Sequence, residues 1–183
     1  LLCLENTVGG KAISLEKMED VSKTARKNSL SIHLDGARFF NAITELNCKP
    51  EELANCADSV SVCLSKGLGT PLGTVLVGSS KFIRKARRNR KILGGSMRQV
   101  GIVAAAGHYA LDNNISRLVE DHNRAKFLAN ELREMNIGHV DSGTNMVFFT
   151  PKDGRAEKLR LHLEKYGVKI CLLYTSDAAD DRN

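Results

Sequence analysis

Lys66 closes the hydrophobic run Val60, Val62, Leu64 and leads at once into Gly67-Leu68-Gly69-Thr70-Pro71-Leu72-Gly73. A primary amine carried by a buried strand into a glycine turn is poorly placed for solvation. It is well placed to attack a carbonyl carbon once it is unprotonated. A second run, Leu30, Ile32 and Leu34, ends in Asp35-Gly36-Ala37-Arg38. Two strands that end in a carboxylate and an amine suggest one site at the carboxyl edge of a sheet. Each residue also has an ordinary explanation: a lysine in an exposed loop, and an aspartate in an Asp-Gly turn. Arg38 adds a guanidinium that stays charged and can grip a carboxylate bidentately, although it can equally pair with Asp35.

The elements that position these groups follow from periodicity. Ser14 can cap a helix running to about Asn28, with Leu15, Met18, Val21 and Ala25 on one face. A strand over 30–34 follows, then a short helix over 39–46 and a first helical turn at Pro50-Glu51-Glu52-Leu53. Strands at 59–64 and 74–77 flank the glycine turn. The opening Leu1-Leu2-Cys3-Leu4-Glu5 reads as the inside of a strand. Strands alternating with helices imply a mostly parallel α/β sheet with crossover connections. Beyond Ser80 the pattern becomes helical: 81–91, a break at Gly94-Gly95, an Ala-rich stretch over 99–111, and a long amphipathic candidate over 115–135. A strand over 145–150, a helix over 156–166 and a strand beginning at 168–170 start a second α/β unit near Val140.

Bulk composition narrows the class. The chain has 183 residues, 42% of them hydrophobic and 26% charged, which suits a soluble globular protein of one domain and part of another. No apolar run approaches the ~18–20 residues that a membrane helix needs. The start has no Met, basic region or apolar core of a signal peptide. Five cysteines, odd in number and without CxxC spacing, point to reduced structural thiols and a cytoplasmic location. Residues 81–91 carry seven basic side chains and no acid, more than the net charge of +6. Such a run is a solvated helix face or an anion-contacting interface more often than a nucleic-acid footprint, and aromatic interleaving is nearly absent. The tail 171–183 has no apolar period and resembles translated adapter sequence; a flexible acidic terminus is the alternative.

Several segments together resemble one family. His33-Leu34-Asp35-Gly36-Ala37-Arg38, Asn41-Ala42, Cys63 through Pro71, Arg90-Lys91 with Gly94 through Gln99, and Asp121-His122 are similar, in order and spacing, to low-specificity L-threonine aldolases over roughly residues 1–170. The resemblance implies an α/β fold type I, pyridoxal phosphate-dependent transferase-like large domain, incomplete here. It divides the chain into 1–114 (C-terminal part of the cofactor-binding domain), 115–139 (bridging helix), 140–170 (start of a small C-terminal domain) and 171–183 (a non-native tail). It also implies a protein of roughly twice this length. The segments beyond this chain would supply a phosphate-binding turn, a stacking imidazole and a carboxylate-binding arginine, so this chain alone is expected to be nearly inactive.

The resemblance further assigns roles. Lys66 would bind pyridoxal 5'-phosphate through a Schiff base, and Asp35 would pair with the pyridine nitrogen. Arg38 would contact the cofactor hydroxyl or the substrate carboxylate. Lys91 and Arg98 would approach the cofactor phosphate from a neighbouring subunit of a homo-oligomer, a dimer of dimers; a solvated basic helix is the alternative for Lys91. Asn6 and Thr7 would line the substrate site. Gly67, Gly69 and Gly73 would leave room beside the cofactor. Gly94-Gly95-Ser96 departs from the three glycines common in relatives. Val8 departs further, standing where close relatives carry an acid–base histidine. His33 shares a strand face with Asp35, in a supporting or merely packed role, and His122 reads as structural. The implied reaction is retro-aldol cleavage of L-threonine or L-allo-threonine to glycine and acetaldehyde. Another fold type I lyase or aminotransferase would share Asp35 and Lys66, and a noncatalytic basic module would use residues 81–91.

Overall fold

The computed structural model describes residues 1–152 and 154–173. Strands β1 (Leu2–Glu5), β2 (Ile32–Gly36) and β3 (Ser59–Cys63) run parallel in that order, and β4 (Thr74–Gly78) adds to β3 antiparallel. The sheet is therefore mostly parallel, as expected, with one reversed edge. The glycine turn reverses the chain directly between β3 and β4, leaving no room for a crossover helix.

Helix α1 (Leu15–Lys27) links β1 to β2, and helices α2 (Phe39–Leu46) and α3 (Pro50–Ala54) link β2 to β3. Ser14 caps α1 by accepting the Lys17 N–H at 3.4 Å. Its inward face is Met18, Ser22 and Ala25; Val21, expected there, is 40% exposed. The buried stripe follows the i, i+4, i+7 spacing of 18, 22 and 25, so Ser22 rather than Val21 faces inward. One face of the sheet, with Leu34, Val60 and Val62, packs on Met18, Phe39, Ala42 and Leu53, and Leu64, Leu68 and Leu118 extend this core.

The structure differs from the expected elements in three places. Strand β2 begins at Ile32 because Leu30 still belongs to the end of α1, where its N–H donates to the Ala25 carbonyl at 3.0 Å. Asp35 thus lies within the strand rather than just past it. The segment 168–170 is not a strand. An unexpected strand, β5 (Gly138–Gly143), pairs antiparallel with β6 (Met146–Pro151) along its whole length. Its period is masked by glycine at both ends, and its partner lies across a tight turn.

Helix α4 (Ser80–Ile92) carries the basic run and buries none of its side chains. Helix α5 (Gly101–Asn113) lays Gly107 against Leu64, where an added Cβ would come within 3.2 Å of Leu64 Cδ1. Helix α6 (Leu118–Glu134) leads to β5, and α7 (Ala156–Glu164) follows β6. No described helix is long and apolar enough to cross a membrane. The end of the tail, 174–183, lies outside the described residues.

Candidate active site

β2 and β3 lie side by side with Asp35 opposite Ser61. Period-two alternation sends Val60 and Val62 to the core and Ser59, Ser61 and Cys63 to the other face. Beyond β3 the chain is held firmly. Leu64 is buried and its N–H donates to the Gly73 carbonyl at 2.9 Å, Gly69 donates to Lys66 at 2.8 Å, and Thr70 donates to Leu64 at 3.1 Å. Asn114 Nδ2 reaches across to the Leu68 carbonyl at 2.7 Å. These bonds fix the backbone from which Lys66 projects.

Asp35, Ala37, Ser61, Cys63, Ser65, Lys66 and Thr74 line one open cleft of about 410 Å³. The carboxylate and the amine inferred from sequence therefore share a site. Asp35 Oδ1 accepts the Ala37 N–H at 3.0 Å, so the turn role and the cleft position coexist in one side chain. The hydroxyls of Ser61, Ser65 and Thr74 and the Cys63 thiol were not singled out from sequence. The alternation Ser-Val-Ser-Val-Cys was the signal that could have found those on β3, since its apolar half already marked the core.

Other expected residues sit elsewhere. Arg38 is half-buried at the start of α2 and is not among the cleft residues. Lys91, in the last turn of α4, and Arg98, before α5, are exposed and do not reach the cleft within one chain. Asn6 and Thr7 are fully buried and do not line it either. Asn6 Nδ2 donates to the Ile13 carbonyl and Oδ1 accepts the Ile13 N–H, both at 3.0 Å, so its amide is committed to the backbone. Val8 is 49% exposed.

The glycines earn their places differently from the expectation. A Cβ at Gly67 would lie 2.8 Å from Leu118 Cδ2, on the core side, while Gly69 at φ 75° and Gly73 at φ 127° hold left-handed conformations. His33 Nδ1 meets Ser59 Oγ at 2.9 Å, two residues before Asp35 on the same strand. His122 is buried, with Nε2 3.1 Å from Asn41 Nδ2 and Nδ1 3.4 Å from Glu45 Oε2. Burial pulls its pKa below the usual histidine value, against the opposing pull of Glu45. It ties α6 to α2, the structural role expected. Cys3, Cys48, Cys56 and Cys63 are free thiols.

A family model described as beta-eliminating lyase matches residues 1–153. Low-specificity L-threonine aldolase 1 of Arabidopsis thaliana is 47% identical over 181 residues, covering 93% of this chain and 50% of that protein. Low specificity L-threonine aldolase of Escherichia coli (strain K12) is 44% identical over 170 residues, covering 93% of this chain and 51% of that protein. The chain spans about half the length of the curated relatives it matches. A solved structure from Listeria monocytogenes EGD-E superposes with a TM-score of 0.80 at 24% identity, covering 92% of this chain and 50% of that one. Leishmania major threonine aldolase does so with a TM-score of 0.68 at 19% identity, covering 80% and 45%. At these identities the structural likeness speaks for the fold, that of the fold type I enzymes. The match over residues 1–153 decides the family: the chain belongs to the beta-eliminating lyases.

Proposed function

We propose that this chain is the lysine-bearing part of a pyridoxal 5'-phosphate-dependent threonine aldolase. The whole protein cleaves L-threonine and L-allo-threonine to glycine and acetaldehyde. The observation that carries this reading is the shared cleft of Asp35 and Lys66 in a chain 44–47% identical to low-specificity threonine aldolases.

The donor set suits the cofactor. One primary amine can bond its aldehyde carbon, one carboxylate can face its ring nitrogen, and the hydroxyls of Ser61, Ser65 and Thr74 can meet its polar edge. When bound, pyridoxal phosphate supplies an electron sink for the pair of electrons released as the Cα–Cβ bond breaks. Lys66 would hold the cofactor through its amine, at the wall of the cleft. Asp35, fixed by its turn, would face the ring nitrogen and favour its protonated form. Arg38 lies three residues beyond Asp35 and is assigned to the substrate carboxylate or the cofactor hydroxyl. The cleavage also needs a base for the β-hydroxyl proton; Val8 cannot provide one, so water or a residue outside this chain does.

Lys91 and Arg98 act from a second subunit of a homo-oligomer, a dimer of dimers. The protein works in the cytoplasm and forms glycine from threonine. Residues 1–114 belong to the cofactor-binding domain, 115–139 form the bridge, 140–170 begin the small domain and 171–183 are non-native. The 183-residue chain alone is nearly inactive.

The test uses the intact protein that contains this chain, loaded with pyridoxal phosphate. Acetaldehyde is released from L-threonine by the wild type, and Lys66→Ala lowers kcat by about a thousandfold or more. A Lys66→Ala variant that retains wild-type cleavage overturns the assignment. Amino-group transfer in place of acetaldehyde release identifies a different fold type I reaction.

A further inference from the structure

Asn6 was expected to touch substrate, yet its amide is occupied on both sides by Ile13. Its backbone N–H makes the last bond of the β1–β2 edge, donating to the Asp35 carbonyl at 3.1 Å. Asn6 therefore holds the end of β1 beside Asp35 and closes residues 6–13 into a loop. Inside it, Val8 and Lys11 exchange backbone hydrogen bonds of 3.0 and 2.9 Å.

The tip of this loop is docked on the distant β5–β6 turn. A Cβ added to Gly10 would lie 2.7 Å from the Gly143 carbonyl oxygen, and one added to Gly143 would lie 2.7 Å from the Gly10 oxygen. Two backbones meet there, flanked by the side chains of Met146 and Lys11. The buried Thr144 hydroxyl donates to the Gly10 carbonyl at 2.8 Å, and Lys11 pairs with Asp141 at 2.7 Å. Thr144 stands at φ 43°, a conformation that a β-branched residue resists and that glycine or asparagine accepts readily. The turn's own geometry does not call for threonine. The hydroxyl does.

We propose that residues 6–13 form a strap linking the β5–β6 unit to the cleft, with Thr144 its far anchor and Asn6 a positioning residue that acts through Asp35. This rests on the proposed cofactor site at Asp35 and Lys66. The strap sets the height and direction of the β2 end, so slack at Gly10 is felt at the carboxylate as misplacement. Substrate is not touched.

Substitutions of the fully buried Asn6 endanger folding, so the test is placed at the far anchor in the intact protein. Thr144→Gly removes the hydroxyl and suits the turn, and Thr144→Ser restores the hydroxyl. In cofactor-free Thr144→Gly, amide hydrogen exchange at Asn6 and Ile13 quickens about three- to tenfold, the measure of one hydrogen bond. In the loaded enzyme kcat falls about tenfold, KM for threonine stays within about twofold and Tm is kept, because misplacement acts on the reacting geometry. Thr144→Ser returns both readouts to near wild type. Unchanged exchange at Asn6 and Ile13 in Thr144→Gly overturns the strap, as does a rise in KM with kcat intact. If the wild type fails to cleave threonine, the reaction assignment falls while the exchange measurement still decides the strap.

Discussion

Asp35 and His122 show how differently two polar side chains can serve the same fold. Asp35 is exposed at a cleft, with one oxygen held by its own turn. His122 is enclosed between α2 and α6, where burial lowers its pKa. A folded-state pKa below the unfolded value means that the unfolded chain binds the proton more readily. The stability contributed by neutral His122 is then present above about pH 6.5 and is lost as pH falls through the depressed folded value. His122→Gln, which keeps a polar side chain at this site without a titrating ring, should flatten the decline of Tm between neutral and mildly acidic pH. A thermal melt series across that range checks this, and an unchanged slope would exclude His122 as its source.

The connection between elements is made where backbones approach. A Cβ at Gly36 would meet the Ser61 carbonyl oxygen at 2.7 Å, directly across the β2–β3 pair that floors the cleft. Backbone cannot swing away as a flexible side chain would. Gly36→Ala is expected to destabilise the protein by about 1–3 kcal/mol through overpacking. It should also weaken pyridoxal phosphate binding by spreading Asp35 from Ser61. Urea unfolding and a cofactor titration read the two effects separately. The sheet itself was legible in the sequence, because Leu34, Val60, Val62 and Leu64 keep the period of a half-buried strand and Asp35 and Lys66 stand at the ends of such runs. The start of β2 was less so: Leu30 looks like a strand residue but completes a helix end. β5 was hidden as well, since its pairing with β6 is a tertiary fact and Gly138, His139 and Asp141 have little strand preference. The fate of Asn6 could not be read at all, because nothing in Glu5-Asn6-Thr7-Val8 announces that Ile13 will take both ends of the amide.

At the scale of the molecule, Asp35 and Lys66 line the cleft while the exposed Lys91 and Arg98 do not. If these two serve the cofactor phosphate of a neighbouring subunit, defects in different parts of the site should complement. Lys66→Ala and Arg98→Ala, each inactive alone in the intact protein, are expected to recover part of the wild-type activity when refolded together. A mixed oligomer then holds some sites with both residues intact. Failure of the mixture, with mixed oligomers shown to form, would place Arg98 outside the neighbour's site. The central claim remains that Lys66 is the cofactor's covalent anchor, and it has a direct measurement. The intact protein is loaded with pyridoxal phosphate, reduced with borohydride and digested, and its peptides are weighed. The account predicts a phosphopyridoxyl group on Lys66 alone. A label on another lysine, or none on a protein that has bound the cofactor, would contradict it.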